Sequence, residues 1–233
     1  TTRLVSYAAA AEKNNPVFNG IYFEIKGSVF AMAATNTHRL ATKDMSLTMP
    51  ATSEGRMIVP SGILSDVCKL LPVEEDAEVE VSWAKSHAAF TFGNTYFITN
   101  LISGQYPDYH RVIPSRFDVE AVFNLKELSD AIRMVSPISR DVSYNTVNFN
   151  FDDNQVEIYA EDSDIGGSKV SIPAKLSGSL PLSIIFNCSY IEDILKHSTG
   201  DTITLHLMNR GPMLVEQEED KNYKYVVTPM RGK

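Results

Sequence analysis

The sequence predicts an α+β fold built from two copies of one module, each with antiparallel sheets on one side and helices gathered on the other. Three observations predict it. The segment MIVPSGILSDVCKLL (Met57 to Leu71) resembles LSIIFNCSYIEDILK (Leu182 to Lys196). After each of these, residues alternate between apolar and polar, the mark of strands with one buried face. Ahead of each lies a similar run of helix and strands, in the same order.

Element by element, the chain opens inside a helical stretch, Leu4 to Glu12. NGIYFE (Asn19 to Glu24) and VFAMAA (Val29 to Ala34) read as strands. Pro60-Ser61 is helix-start chemistry, and Ile63, Leu64, Val67, Cys68 and Leu71 succeed it at helical spacing. Val79, Val81 and Trp83 then alternate with polar residues. AAFTF (Ala88 to Phe92) and YFITNL (Tyr96 to Leu101) complete the first copy, with GNT as their turn.

The second copy starts with a short strand, Ala121 to Asn124, and a helix from Leu125 to Ser136. NTVNFN (Asn145 to Asn150) and VEIYAE (Val156 to Glu161) parallel the first two strands. Asn187-Cys188-Ser189 starts the second helix, whose apolar positions are Tyr190, Ile191, Ile194 and Leu195. Ile203, Leu205 and Leu207, then PMLVE (Pro212 to Glu216) and YVVTPM (Tyr225 to Met230), give the last three strands. The strand before the second copy's first helix has no counterpart ahead of Thr1, so the chain is expected to be cut from something longer.

Composition narrows the function. With 43% hydrophobic and 21% charged residues, the chain is ordinary globular material. No run nears the roughly 20 apolar residues of a membrane span, and the N-terminus does not read as a secretory signal. Cys68 and Cys188 stand far apart in apolar surroundings, so no disulfide and a cytoplasmic location are expected. A net charge of -8 argues against a protein whose whole surface grips nucleic acid, but allows a locally basic face. No P-loop, GxSxG, HExxH or CxxC pattern occurs, and the five histidines lack ligand spacing. The acidic runs Glu74 to Asp76 and Glu216 to Asp220 fall at turns. No catalytic site, metal or cofactor is therefore expected. Cys188 reads as a packing residue, since Ser61 holds the matching place.

Several long motifs carry a family resemblance. ATNTHRLA (Ala34 to Ala41) resembles the ATDGHRLA signature of the middle domain of bacterial DNA sliding clamps, the beta subunits of DNA polymerase III. ISGQYPDYHRVIP (Ile102 to Pro114) is similar to that family's domain-connecting segment. FNCSYIEDIL (Phe186 to Leu195) and YVVTPMRGK (Tyr225 to Lys233) resemble its third domain and tail. The resemblance implies a clamp fold, with residues 1–114 as the middle domain and 115–233 as the C-terminal domain. It implies a DNA polymerase processivity factor with no chemistry of its own. The complete family protein is a head-to-tail homodimer that encircles duplex DNA without reading sequence, in the bacterial cytoplasm at the nucleoid. Its partners, namely the replicative polymerase, the clamp loader and repair proteins, dock short linear peptides in a pocket between the two domains. A stand-alone two-module peptide-binding protein that forms no ring is the alternative.

Carried over residue by residue, the resemblance places Phe18, Thr35, Thr37, His38, Arg39 and Leu40 on one wall of the pocket. The connecting segment adds Pro107, Arg111 and Val112. The last domain adds Tyr144, Asn187, Tyr190, Arg210, Pro212 and the tail Val226, Val227, Thr228, Pro229, Met230 and Arg231. Leu40, Val112, Val226, Val227 and Met230 are expected to bury an apolar anchor, and Arg39 and Arg111 to hold a peptide carbonyl or carboxylate. Truncation before Val226 is expected to abolish binding. Helix residues Arg3, Lys13, Lys69, Lys126, Arg133 and Lys196 are expected to face DNA phosphates. Two features depart from the family. Asn36-Thr37 replaces Asp-Gly, so either the turn differs or Asn36 takes the left-handed position. Gly232-Lys233 extends the tail.

Overall fold

The computed structural model describes residues 2–11, 15–71, 78–141, 145–152, 155–162 and 166–230. The chain divides into two compact units, Thr1–Tyr109 and His110–Lys233.

Unit 1 begins with α1 (Thr2–Ser6). It continues through β1 (Gly20–Lys26), β2 (Val29–Thr35), β3 (Arg39–Ser46) and β4 (Gly55–Pro60) to α2 (Ser61–Leu70). It ends with β5 (Glu80–Trp83), β6 (His87–Phe92) and β7 (Thr95–Asn100). β1 pairs antiparallel with β2 on one side and β4 on the other, and β3 pairs with β2. β5, β6 and β7 form a second antiparallel sheet. Period-two alternation brings Ile21, Phe23 and Ile25 to the buried face of β1. Phe23 meets Phe30 edge to face, with ring centroids 4.8 Å apart. α1 packs against α2, burying Val5, Leu64 and Val67. At Gly55 a Cβ would lie 2.5 Å from Trp83 Nε1, so β4 takes glycine where the only tryptophan lies against it.

The first helix is shorter than the spacing predicts. The N–H groups of Ala8 and Ala9 bond back only three residues, to Val5 and Ser6, and Ala10 N–H turns away to the Phe18 carbonyl at 2.8 Å. Three-residue bonds tighten a helix end, and the third bond draws the chain out of the helix.

Unit 2 contains β8 (Val119–Asn124), α3 (Leu125–Asp141), β9 (Thr146–Asp152), β10 (Gln155–Asp162) and β11 (Gly166–Pro173). β12 (Lys175–Gly178), β13 (Leu182–Asn187), α4 (Cys188–His197), β14 (Thr202–Leu207), β15 (Met213–Gln217) and β16 (Tyr223–Val227) come next. One antiparallel sheet runs β12-β8-β14-β15-β16, the other β11-β10-β9-β13. The third strand of the repeat is shared between them: β11 pairs with β10, and just beyond Pro173 the chain crosses to pair β12 with β8. Phe149, Phe151 and Phe186 interlock in the core with the inner faces of α3 and α4, including Leu128, Ile132, Ile191 and Ile194. Arg140 on α3 reaches Glu192 on α4 at 3.4 Å. α3 runs past the predicted stop at Ser136, with Pro137 inside it. Proline removes one N–H bond, yet the helix continues to Asp141, and Ser139, two residues on, is fully buried and donates to Asn145 Oδ1 at 2.8 Å.

Both units have the same plan of antiparallel sheets with two packed helices. This is the α+β arrangement expected from the repeat.

Candidate functional site

In unit 1 the sequence-predicted residues Thr35, Thr37, His38 and Arg39 come together in the turn between β2 and β3. Thr37 N–H donates to Thr35 Oγ1 at 3.1 Å, and Thr35 Oγ1 donates to the Arg39 carbonyl at 2.6 Å. Asn36 Oδ1 accepts the N–H groups of both His38 and Arg39, at 3.1 and 3.0 Å. Asn36 does not take the left-handed position: Thr37 does, with φ 76. Positive φ is costly for a β-branched residue, and these side-chain bonds hold the turn against that cost. Thr37→Gly should therefore raise the stability of unit 1 by about 1 kcal/mol. Thermal unfolding followed by Trp83 fluorescence checks this; a lower melting temperature would contradict the strain.

Arg39 makes its contacts within unit 1. Its Nη2 donates to the Tyr7 carbonyl, and its guanidinium lies 5.5 Å from the centroid of the Tyr7 ring. It braces the turn against the end of the first helical segment, because the chain's own carbonyl and aromatic face lie within its reach. Phe18 sits in a 3-10 turn, Pro16–Asn19, and meets Tyr106 edge to face at 6.1 Å. Tyr106 also stacks on Tyr22 at 4.9 Å. Burial raises the Tyr106 phenol above its ordinary pKa. Tyr7 and Tyr106 are supports that the sequence does not single out; each is one tyrosine among ten, with no local pattern to mark it. Pro107 lies exposed next to Tyr106.

In unit 2 Arg111 is exposed and Val112 is 52% exposed. Asn187 caps α4, its Oδ1 accepting Ser189 N–H at 3.0 Å. Tyr190, in the first turn of α4, offers its carbonyl to the Tyr225 hydroxyl at 3.0 Å. The terminal segment continues from β16, and Met230 N–H donates to the Ile185 carbonyl on β13 at 2.7 Å. Pro229, Met230 and Arg210 line one side of an open groove of about 840 Å³. Pro212 lies half-buried beside Met213, the first residue of β15.

Three of the expected apolar anchors are closed by packing in this structure. Leu40, Val226 and Val227 are 3%, 4% and 0% exposed, so they are packing residues with no open surface to offer. In β16 the valines are closed on both faces of the strand, which alternation alone does not reveal. The open apolar surface belongs to Val112, Pro229 and Met230. Tyr144, Arg231 and Lys13 lie outside the described residues.

Of the helix cations, Arg3, Lys69, Lys126, Arg133 and Lys196 are all exposed. Lys69 pairs with Asp66 at 2.9 Å, Lys126 and Arg133 share Asp130 at 3.0 and 2.9 Å, and Lys196 approaches Asp193 at 4.0 Å. These partners are one turn away on the same helix, a spacing the sequence already contains.

Among the described residues, no group of three His, Cys, Asp or Glu side chains converges as metal ligands, and no helix is long and apolar enough to cross a membrane. Cys188 is fully buried, and burial pushes its thiol up to about 11. That leaves it a packing residue at neutral pH.

Comparison with known proteins gives one consistent set. The family described as "DNA polymerase III beta subunit, central domain" matches residues 1–108, and "DNA polymerase III beta subunit, C-terminal domain" matches residues 110–231. The beta sliding clamp of Staphylococcus epidermidis is 25% identical over 227 residues, covering 97% of this chain and 60% of its own length. The chain thus spans about 60% of the curated relatives it matches. Among solved structures, the DNA polymerase sliding clamp of Bacillus subtilis superposes with a TM-score of 0.94 at 25% identity, over 100% of this chain and 61% of that one. A sliding clamp of Pseudomonas aeruginosa bound to griselimycin gives 0.90 at 26% identity, over 99% and 63%. The beta subunit of Thermotoga maritima, at 23% identity and a TM-score of 0.92 over 100% and 62%, shares the fold.

Proposed function

The chain belongs to the DNA polymerase III beta-subunit family, over its central and C-terminal domains, and on that premise we propose that it works as a sliding clamp that tethers replication proteins through short peptides. The observation that carries this reading is the terminal segment. Met230 is clipped by its backbone to the edge of β13 and leaves its side chain half exposed beside Pro229. A flexible thioether held on a fixed backbone suits a surface that accepts apolar side chains of differing shape.

Partner peptides bind in extended form, with a leucine or phenylalanine as anchor. Met230, Pro229 and Val112 supply the open apolar contact. Arg111, exposed on the connecting segment, supplies a cation. The Thr35–Arg39 turn in unit 1 and the cap at Asn187 in unit 2 each hold backbone and amide groups in fixed positions. A relative whose structure holds griselimycin agrees with a family that binds small partners.

The DNA reading rests on the helix cations. Each paired lysine or arginine can exchange its neighbouring carboxylate for a phosphate at little cost, because exposed pairs are worth under about 1 kcal/mol. Such a surface attracts the backbone without holding one position, as sliding requires. The ring reading draws on β11, the edge strand of its sheet, with Met134 61% exposed near it and its carbonyl accepting from Ser168 Oγ at 3.1 Å. An open edge with exposed apolar surface is suited to a neighbouring subunit. The partner surface belongs to the head-to-tail homodimer of the complete family protein.

The decisive experiment is a fluorescence-anisotropy titration of the chain with a labelled peptide, glutamine followed by a leucine/phenylalanine-rich stretch. Saturable binding is expected with Kd of about 10–100 μM, some 6 kcal/mol. No saturation by about ten times that concentration overturns the peptide reading.

A further inference from the structure

The outward face of β9, β10 and β13 carries chemistry that an apolar anchor does not use. Alternate residues of a strand share one face. Tyr159 stands opposite Asn148, and Asn148 opposite Ile185, so these three form a row across the sheet. Glu157, Asn150 and Ser183 form the next row, and every member of the two rows except Glu157 lines a groove. These lining positions floor the groove whose side is formed by Arg210 and Met230.

Among the described residues, the lining of this groove holds amides, hydroxyls and a guanidinium, and no carboxylate. In a chain of net charge -8 that is a local reversal. The nearby acid Glu157 is already satisfied: it accepts from Asn150 Nδ2 at 3.2 Å and from Lys169 Nζ at 2.6 Å. The turn that carries Arg210 is tied at the neighbouring residue, where Asn209 N–H donates to Asp118 Oδ2 at 2.8 Å. The groove is also continuous with the anchor surface, since Met230 belongs to both and is tied to Ile185 on the groove floor.

We infer that this groove binds the acidic flank of an extended partner peptide. A Glu or Asp next to the apolar anchor meets Arg210, while Asn148, Asn150 and Ser183 offer hydrogen bonds to the peptide backbone. The inference rests on the peptide reading above and gives that site a second, charge-selective half.

The test uses the whole chain and two labelled peptides with the same glutamine and leucine/phenylalanine core. One has neutral flanks and the other has flanks of Glu and Asp. The acidic peptide is expected to bind about fivefold more tightly at low salt, and the advantage should shrink toward nothing at about 0.5 M salt. Ser183→Asp, an exposed outward position, should abolish the advantage, so that the acidic peptide binds no more tightly than the neutral one; circular dichroism checks its fold. Arg210→Ala should abolish the advantage as well. Equal binding of both peptides to the unaltered chain, or an advantage that survives both substitutions, overturns the groove. If neither peptide binds, the anchor reading falls and the groove with it. If only the acidic peptide binds, the groove stands without the anchor.

Discussion

Replacing Asn145 with alanine should destabilise unit 2 by about 2–4 kcal/mol, a large share of a domain's net stability. Asn145 ties α3 and α4 together through three bonds. Its Oδ1 accepts from Ser139 Oγ on α3 at 2.8 Å, its Nδ2 donates to Ser189 Oγ on α4, and its carbonyl accepts Cys188 N–H at 2.7 Å. Its φ is 51, in the left-handed region that asparagine tolerates and alanine does not. Alanine removes the two side-chain bonds, one of them from the fully buried Ser139. Each such loss costs about 1 kcal/mol or more, and the strained φ adds about another. Asn145→Gly separates these contributions. It relieves the backbone strain but leaves both hydroxyls without the amide, so it should fall between the two. Urea unfolding by circular dichroism measures the loss. Trp83, the sole tryptophan, lies in unit 1, so its emission separates a loss in unit 2 from one shared by the whole chain. An alanine variant within about 0.5 kcal/mol of the parent, the range of ordinary surface substitutions, would falsify the network.

Much of the fold is legible in the residues, because it depends on periods and on repetition. Ile203, Leu205 and Leu207 alternate and are buried as alternation requires. The equivalence of Met57–Leu71 with Leu182–Lys196 recurs as β4-α2 and β13-α4. The features that escape are set by contacts distant in sequence. The exit from α1 depends on the Phe18 carbonyl, and the engagement of Arg39 depends on Tyr7, which is 32 residues away. The crossing from β11 to β12 happens at Pro173-Ala174, where sequence suggests only a break. Thr37 illustrates a different limit. Propensity assigns the left-handed position to asparagine, but Asn36 is more useful as an acceptor for two N–H groups, so the threonine beside it takes the strained conformation. At the candidate site, burial divides the residues that the family motif names. Leu40, Val226 and Val227 are buried, while Val112, Pro229 and Met230 keep open surface.

That division changes which truncation is informative. A chain ending before Val226 loses two valines, both under 5% exposed, from a strand paired with β15. Their burial alone is worth roughly 3–5 kcal/mol, so lost peptide binding in that variant would report lost packing. A chain ending at Val227 keeps all of β16 and loses only the residues beyond it, and with them the bond from Met230 N–H to the Ile185 carbonyl. One exposed backbone bond contributes about 1 kcal/mol, so the melting transition should move little. Peptide binding should nevertheless weaken at least about tenfold, about 1.4 kcal/mol, because the flexible apolar contact and the wall shared with the groove both go. Anisotropy titration of the shortened chain measures this, with Met230→Leu and Met230→Ala in the intact chain as companions. Leucine preserves apolar volume and should retain most of the affinity; alanine should lose several-fold. Unchanged affinity in the chain ending at Val227, with its fold intact, would move the peptide site away from the terminal segment altogether.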